Sequence, residues 1–211
     1  MARSRIRGLY AITPEKADTG ELLAKVRLAL AGGTRLVQYR SKLADRSLRF
    51  AQARQLLALC RSASATLIVN DDIECALEVG ADGAHIGRED GEPFAARSRL
   101  GPGMLLGVSC YERLELALAA EAAGADYVAF GSVFASPTKP GAVRAGLALF
   151  SQARTRVQVP IVAIGGITAE NAASVVAAGA DALAVLSAVF EAADIEAAAA
   201  AFSTFFSPKR P

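Results

Sequence analysis

Eight short apolar runs alternate along this chain with eight segments of helical character, and this alternation constrains the fold more than any other feature. The runs are candidate strands at residues 9–12, 36–39, 66–69, 83–86, 105–109, 127–130, 161–164 and 182–186. Apolar residues recur at helical spacing over residues 19–31, 47–61, 72–79, 93–99, 112–123, 147–156, 169–178 and 194–205. Almost continuously apolar runs are typical of parallel strands covered by helices. The pattern predicts an α/β chain folded as a single (β/α)₈ TIM barrel.

Length and composition agree with one barrel and exclude several partner classes. The 211 residues, 53% of them hydrophobic, suit one domain over 1–211, with 1–7 and 207–211 expected to be frayed tails. The net charge of +2 is spread along the chain, so we expect no nucleic acid partner, and no run is long enough to span a membrane. Three widely spaced cysteines argue for a reduced cytoplasm and against a disulfide framework or a zinc site. A monomer and a homo-oligomer both remain open.

A partial repeat marks the amino-terminal end of the predicted barrel. Gly-Ala-Asp occurs at residues 80–82, 124–126 and 179–181, each time between a helix and a strand. Glycine can end a helix in the left-handed conformation, and the aspartate can cap the tight turn that follows. Because this end of such a barrel serves stability, we expect no catalytic role for Asp82, Asp126 or Asp181.

The opposite end, where strands finish, carries the chemistry in such barrels. Gln38, Arg40 and Lys42 follow one another at alternate positions from the second strand and so share one face. Three donors in this arrangement suit a multiply charged anion. The alternative interpretation is a solvated edge strand.

Two carboxylates, Asp71 and Asp90, follow the third and fourth strands and can face one another. Oxygen ligands completed by water describe a Mg²⁺ site that bridges to a phosphate, and such a site needs only one or two carboxylates. The alternative is that an aspartate here caps the next helix, which we expect for Asp72.

The last two strands end in features typical of a phosphate site. Gly165-Gly166 follows the seventh strand and Leu186-Ser187 ends the eighth, the usual position for phosphate in these barrels. The turn-rich segment 136–141 is long enough for a mobile lid that brings Lys139 over the mouth, or else is an ordinary solvated loop.

Six motifs in order resemble the thiamin phosphate synthase family from Gly8 to about Ser187. They are Gln-Tyr-Arg-x-Lys, Val-Asn-Asp-Asp, Asp-Gly-x-His-x-Gly-x-Glu-Asp, Gly-Val-Ser, Pro-Thr-Lys and Ala-Ile-Gly-Gly-Ile. The resemblance implies a (β/α)₈ barrel that condenses 4-amino-2-methyl-5-(diphosphooxymethyl)pyrimidine with 4-methyl-5-(2-phosphoethyl)thiazole. The products would be thiamin phosphate and pyrophosphate, with Mg²⁺ as cofactor.

The resemblance also implies roles for residues of this sequence. The pyrimidine pyrophosphate would be bound by Gln38, Tyr39, Arg40, Ser41, Lys42, Asn70, Ser109 and Lys139. Catalysis would fall to the cations Arg40, Lys42 and Lys139, and Mg²⁺ to Asp71 and Asp90. The thiazole phosphate would be bound by Ser136, Pro137, Thr138, Gly166, Leu186 and Ser187. The chain departs from the family pattern at Ser41, Arg88 and Ala135-Ser136, where Glu, Gln and Pro-Thr are common.

The implied reaction demands no general base, which fits a chain whose one histidine, His85, lies within a predicted strand. We expect His85 to pack or to hydrogen-bond. Preorganised cations and a metal would stabilise the departing pyrophosphate. Two alternatives remain: a thiazole tautomerase of the same barrel family, which would need an acid or base instead of metal carboxylates, and a non-catalytic phosphate-binding barrel.

Overall fold

The computed structural model describes residues 5–42, 44–135 and 143–206. Parallel strands close into a barrel in chain order, with β1 paired to both β2 and β8. The strands are β1 (Gly8–Ile12), β2 (Leu36–Tyr39), β3 (Thr66–Asn70), β4 (Gly83–Ile86), β5 (Leu105–Tyr111), β6 (Tyr127–Phe130), β7 (Ile161–Ile164) and β8 (Ala182–Val185). The predicted (β/α)₈ barrel is therefore confirmed.

Helices cover the outside of the barrel. They are α1 (Thr19–Ala31), α2 (Arg46–Ser62), α3 (Ile73–Val79), α4 (Pro93–Leu100), α5 (Leu114–Ala122), α6 (Leu147–Arg154), α7 (Ala169–Ala177), α8 (Ser187–Phe190) and α9 (Ile195–Thr204). The short helix α8 was not predicted, and it begins directly after Leu186, which the sequence assigned to the eighth strand. One helical turn is too short to give a periodic signal.

Two apolar cores follow from the alternation of side chains along the strands. Residues that face inward fill the barrel, among them Ile6, Tyr10, Leu36 and Tyr127. Residues that face outward join the inner faces of the helices in a larger cluster that includes Val37, Leu56 and Phe130. This division places β2 residue 38 inside the barrel and residue 39 outside it.

The three Gly-Ala-Asp turns form one repeated contact at the amino-terminal floor of the barrel. Asp82, Asp126 and Asp181 accept hydrogen bonds from the first or second N–H of a neighbouring strand, at 2.9, 2.8 and 2.8 Å. Each also pairs with an arginine at 2.5 Å, and the partners are Arg5, Arg97 and Arg154. Asp126 and Asp181 therefore link strands to the arginines of helices, and Asp82 links a strand to the segment before β1, all at the amino-terminal end of the barrel.

The frayed tail expected over residues 1–7 is wrong for Arg5 and Ile6, because Ile6 is fully buried in the floor and Arg5 pairs with Asp82. Cys60, Cys75 and Cys110 are free and buried. Within the described ranges, no helix is long and apolar enough to cross a membrane.

Candidate active site

The carboxyl end of β2 brings two cations to the mouth of the barrel. The N–H of Arg40 donates to the hydroxyl of buried Thr13 at 3.0 Å, and the Thr13 N–H donates to the Gln38 carbonyl at 2.9 Å. These hydrogen bonds to Thr13, which follows β1, fix the position of the backbone that carries Arg40 and Lys42. Arg40 is half-buried and Lys42 is exposed.

Glu15, which follows β1, holds the next turn of this loop. Its carboxylate accepts from the Ser41 hydroxyl at 2.5 Å and from the Lys42 N–H at 2.9 Å. The Ser41 oxygen also accepts from the Ala44 N–H at 3.2 Å. Ser41 was expected to bind substrate, and the structure engages its hydroxyl in shaping the loop. Sequence reasoning missed Glu15, although its position after a strand was an available signal.

A cleft of about 430 Å³ opens beside these cations. From the predicted set it is lined by Ser41, Lys42, Asn70, Asp71 and Asp90. Its other lining residues are Arg49, Asp72, Ile73, Glu74 and Arg99. Asp72 caps α3 by accepting from the Cys75 N–H at 2.8 Å, as predicted, and it pairs with Arg49 at 2.7 Å. Arg49, which reaches the cleft from α2, was not predicted as a site residue.

Asp71 and Asp90 both line this cleft, and their carboxyl groups are close enough for Asp90 to perturb the titration of Asp71. Desolvation and then the negative charge of Asp90 raise the pKa of Asp71 to about 6, while Lys42 and Arg40 act in the opposite direction. Asp90 also accepts from the Gly87 N–H at 2.7 Å. Asp71 has a φ of 64°, in the left-handed region, and its backbone N–H donates to the His85 carbonyl at 2.8 Å. Strained non-glycine residues of this kind concentrate at functional sites.

The carboxylate pair fits a divalent cation. Two acidic groups forced together are mutually repulsive, and a cation between them removes that repulsion. Across the described part of the chain, no group of three or more acidic, histidine or cysteine side chains could hold a metal. Two carboxylates suffice for Mg²⁺ when water and substrate phosphates supply the remaining oxygens.

Arg88, one of the departures from the family pattern, is stacked on Tyr111 at the same mouth. The guanidinium of Arg88 lies 4.9 Å from the ring centroid, and the backbone N–H of Arg88 donates to the Tyr111 hydroxyl at 3.1 Å. The side chain is exposed. Tyr111 holds this extra cation on the side of the mouth that carries Asp90.

Three predicted site residues do not line the cleft. The side chains of Gln38 and Ser109 have partners inside the barrel, and that of Tyr39 lies outside the barrel. Gln38 is buried and donates from Nε2 to the Tyr10 hydroxyl at 2.9 Å, and Ser109 Oγ lies 2.9 Å from His85 Nε2. Tyr39 requires a correction as a substrate-binding residue. Its side chain faces the helices, where its hydroxyl donates to Gln52 at 2.8 Å, because alternate residues of a strand face opposite sides.

His85 is buried within β4 and hydrogen-bonded, as expected from the sequence. Burial lowers the pKa of His85 to about 4, so the imidazole is neutral near pH 7. It therefore stands in the barrel as an uncharged hydrogen-bonding group. The hydrogen-bonding roles of Tyr10 and Tyr127, its neighbours inside the barrel, were not predicted. Both residues lie within apolar strand runs that indicate only a packed core.

The loops after β7 and β8, where we predicted a phosphate site, are defined by their backbone geometry. Gly165 and Gly166 have φ values of 103° and 63°. A Cβ on Gly166 would collide with the Ala135 carbonyl oxygen and would lie 2.9 Å from Phe134 Cβ. Within the described residues, the Gly166 N–H has no acceptor. Leu186 precedes the short helix α8, which begins at Ser187.

The expectations for the lid segment fall on residues outside those the structure describes. They concern Ser136, Pro137, Thr138 and Lys139. Their assignments stay predictions.

The fold and the mouth define a (β/α)₈ barrel whose strand ends carry cations, a carboxylate pair and a glycine loop suited to phosphorylated ligands. A family model described as thiamine monophosphate synthase matches residues 9–189. The chain belongs to the thiamine monophosphate synthase family.

Individual relatives agree with this assignment. The thiamine-phosphate synthase of Aromatoleum aromaticum is 58% identical over 206 residues, covering 98% of this chain and 99% of that protein. That of Bordetella pertussis is 56% identical over 206 residues, covering 95% of each. The solved structure of thiamine phosphate pyrophosphorylase from Pyrococcus furiosus superposes with a TM-score of 0.86 at 36% identity, covering 98% of both chains.

Proposed function

We propose that this chain is a thiamine-phosphate synthase, a transferase that joins the pyrimidine pyrophosphate to the thiazole phosphate and releases pyrophosphate. The observation that carries the proposal is the Asp71–Asp90 pair in a cleft reached by the charges of Arg40 and Lys42. Cations beside a metal-binding carboxylate pair suit a pyrophosphate that must leave. Membership of the family, and the names of the relatives, support the same reaction.

Asp71 and Asp90 would hold Mg²⁺. When bound there, the ion supplies a positive charge that offsets the charge growing on the leaving pyrophosphate. Arg40, Lys42 and Asn70 bind the same phosphates from the protein side, and Lys139 completes the cationic set in this proposal. The guanidinium of Arg40 can grip two phosphate oxygens at once, which an ammonium cannot do.

The bond changes need no acid or base from the protein. The bond between the exocyclic methylene carbon and the pyrophosphate oxygen breaks, and the aminopyrimidine stabilises the positive charge left on carbon. The thiazole nitrogen then forms the new C–N bond with its free lone pair. Electrostatic stabilisation of the departing oxygen is the main demand on the site.

The thiazole phosphate is assigned to the opposite side of the mouth. Gly166 and the backbone at Leu186 and Ser187 would bind it, together with Ser136, Pro137 and Thr138. The positive φ of Gly166 and the lack of room for a side chain there support a close approach of its backbone N–H to an anion. The partners are thus two small molecules, and the free buried thiols support a reducing compartment, the cytoplasm.

A coupled assay for pyrophosphate tests the proposal. With Mg²⁺ and both substrates, we expect stoichiometric release of pyrophosphate and formation of thiamin phosphate, and chelation of the metal by EDTA should stop both. A tautomerase would convert the thiazole phosphate without the pyrimidine substrate. A phosphate-binding barrel would give no product. Either result would refute the transferase assignment.

Lys42→Met tests the role of the cation. Because negative charge grows on the bridging oxygen as the bond breaks, the variant should lose kcat by ~10²-fold with saturating substrates. Lys25→Met is the matched control, since Lys25 lies on α1 and its ammonium donates a hydrogen bond to the Phe190 carbonyl at 3.4 Å. Equal kcat values for the two variants would assign Lys42 to a solvated rim.

A further inference from the structure

A line of hydrogen bonds crosses the interior of the barrel and ends at two predicted ligands of the pyrimidine pyrophosphate. Gln38 Nε2 donates to the Tyr10 hydroxyl at 2.9 Å, and the hydroxyls of Tyr10 and Tyr127 are 2.8 Å apart. The Tyr127 hydroxyl lies 3.1 Å from His85 Nδ1, and His85 Nε2 lies 2.9 Å from Ser109 Oγ. We call these five residues the interior relay.

The register of the strands builds the central contact of the relay. His85, Gly107 and Tyr127 lie side by side on β4, β5 and β6. Gly107 has no side chain, and a Cβ there would collide with the Tyr127 ring and lie 2.5 Å from His85 Nδ1. The two rings therefore meet across Gly107, with centroids 5.5 Å apart and planes 27° from parallel.

Chemistry gives the relay one direction. An amide N–H only donates, so the Tyr10 oxygen accepts from Gln38. Among the described residues the buried Tyr10 hydroxyl has no acceptor other than Tyr127, so its proton goes there, and the Tyr127 proton goes to His85 Nδ1. A ring nitrogen that accepts a hydrogen bond carries no proton, so the His85 imidazole is uncharged when Nδ1 accepts from Tyr127. A neutral imidazole that accepts at Nδ1 carries its proton on Nε2.

We propose that the interior relay holds His85 in the Nε2–H form and thereby presets Ser109 as a hydrogen-bond donor to the anionic substrate. The Nε2–H donates to Ser109 Oγ, so the serine proton must point away from His85, and Ser109 lies half-buried at the end of β5 that faces the mouth. Phosphate oxygens accept hydrogen bonds, and a donor fixed before binding loses no free energy in reorienting. His85 and Tyr127 are positioning residues. The inference rests on the proposed function for the identity of the anion.

Nitrogen NMR on the free protein reads the tautomer directly. The chain contains one histidine, so both imidazole signals in tag-free, ¹⁵N-histidine-labelled protein belong to His85. We expect a single Nε2–H tautomer without substrate, and a mixture of tautomers in Tyr127→Phe. Tyr39→Phe, which removes a buried hydroxyl outside the barrel, should leave these signals unchanged. An Nδ1–H tautomer in the parent protein, or no change in Tyr127→Phe, would overturn the proposal.

Kinetics then tests the link to Ser109. The Gln amide can replace the Nε2–H donor and the apolar Met cannot, so His85→Met should lose kcat/KM for the pyrimidine pyrophosphate by roughly 10- to 100-fold while His85→Gln retains most of it. In a Ser109→Ala background, His85→Met should add little further loss. The KM of the thiazole phosphate should stay close to the parent value.

The outcomes separate this inference from the proposed function. Additive losses from His85→Met and Ser109→Ala would show that His85 acts independently of Ser109, and would overturn the relay. Absence of thiamin phosphate synthesis in the parent protein would refute the proposed function while leaving the tautomer measurement valid. If His85→Met fails to fold, Tyr127→Phe takes its place in the same double-mutant comparison.

Discussion

Asp71 is held where both its backbone and its charge are unfavourable. Its φ of 64° lies in the left-handed region, which costs an aspartate less than most residues but is still strained. Desolvation and the nearby Asp90 raise the pKa of its carboxyl to about 6. Both the backbone strain and the buried charge of Asp71 lower the stability of the fold. A binding role for its carboxyl group explains why an aspartate is found there.

Asp71→Asn should separate stability from activity. Asparagine tolerates the left-handed conformation, so the change removes the repulsion with Asp90 without adding strain. We expect an unchanged or higher melting temperature together with a loss of turnover of ~10²-fold and a raised Mg²⁺ requirement. Thermal unfolding and Mg²⁺ titration of turnover measure the two effects.

The matched control is Asp72→Asn, one residue away. Asp72 caps α3 and pairs with Arg49, and asparagine is also a good helix cap. The control should lose some stability and keep its Mg²⁺ dependence. Equal Mg²⁺ dependence of both variants and the parent would remove Asp71 from the metal site.

At the level of elements, the loop after β7 is defined by how closely two backbone segments approach. Gly166 has a positive φ, and a side chain there would collide with the chain at Phe134 and Ala135. A valine at position 166 would therefore displace that segment as well as fill the proposed anion site. A Cβ alone already causes this collision, so a matched glycine in open space is needed to separate the local effect from backbone strain.

Gly166→Ala and Gly80→Ala make that comparison. Gly80 has a similar φ of 70° but open space around it, so alanine there adds only backbone strain of about 1 kcal/mol. Both variants should lose stability, and only Gly166→Ala should raise the KM of the thiazole phosphate. If the KM of the pyrimidine pyrophosphate rises instead, the two substrate sites have been assigned in reverse.

The Gly-Ala-Asp turns give the barrel floor a stabilising role that is independent of the mouth. Asp126→Ala leaves the Leu106 N–H without its acceptor and removes the carboxylate partner of Arg97, which keeps only its backbone carbonyl acceptors. The change should lower the free energy of unfolding by about 1–3 kcal/mol. The exposed Arg113–Glu115 pair offers a control, because Glu115→Ala should change stability little. Both variants should keep the parent kcat, and a loss of kcat in Asp126→Ala would contradict the division of roles.

For the molecule as a whole, the buried His85 links stability to pH. Its pKa falls from an ordinary 6.5 to about 4 on folding, so between these values the unfolded chain binds a proton that the folded chain does not. Stability is present above pH 6.5 and is lost as pH falls toward 4, by at most about 3 kcal/mol from this group. The unfolding free energies of the parent and His85→Gln should therefore converge on acidification. A pH-independent difference would contradict the shift.

The sequence predicted what depends on local pattern and missed what depends on register. The strand Ile161–Ile164 lies within its predicted bounds because a proline and a glycine pair flank an apolar run. β5 runs two residues beyond its prediction, where its pairing with β6 shifts between Ser109 and Tyr111. The His85 and Tyr127 side chains are in contact because the residue between them in the sheet, Gly107, has no side chain. Glu15, in the loop after β1, accepts a hydrogen bond from Ser41, in the loop after β2. Neither contact has a signature in the local spacing of residues.

The three buried thiols can report how different parts of the molecule open. Cys60 and Cys75 lie on α2 and α3, Cys110 lies in β5, and burial raises the pKa of each thiol to about 12. Because alkylating reagents attack the exposed thiolate, each cysteine reacts only after its surroundings open. Two thiols therefore report on the helical shell and the third on the barrel wall. Their relative labelling rates distinguish partial detachment of helices from unfolding of the whole barrel.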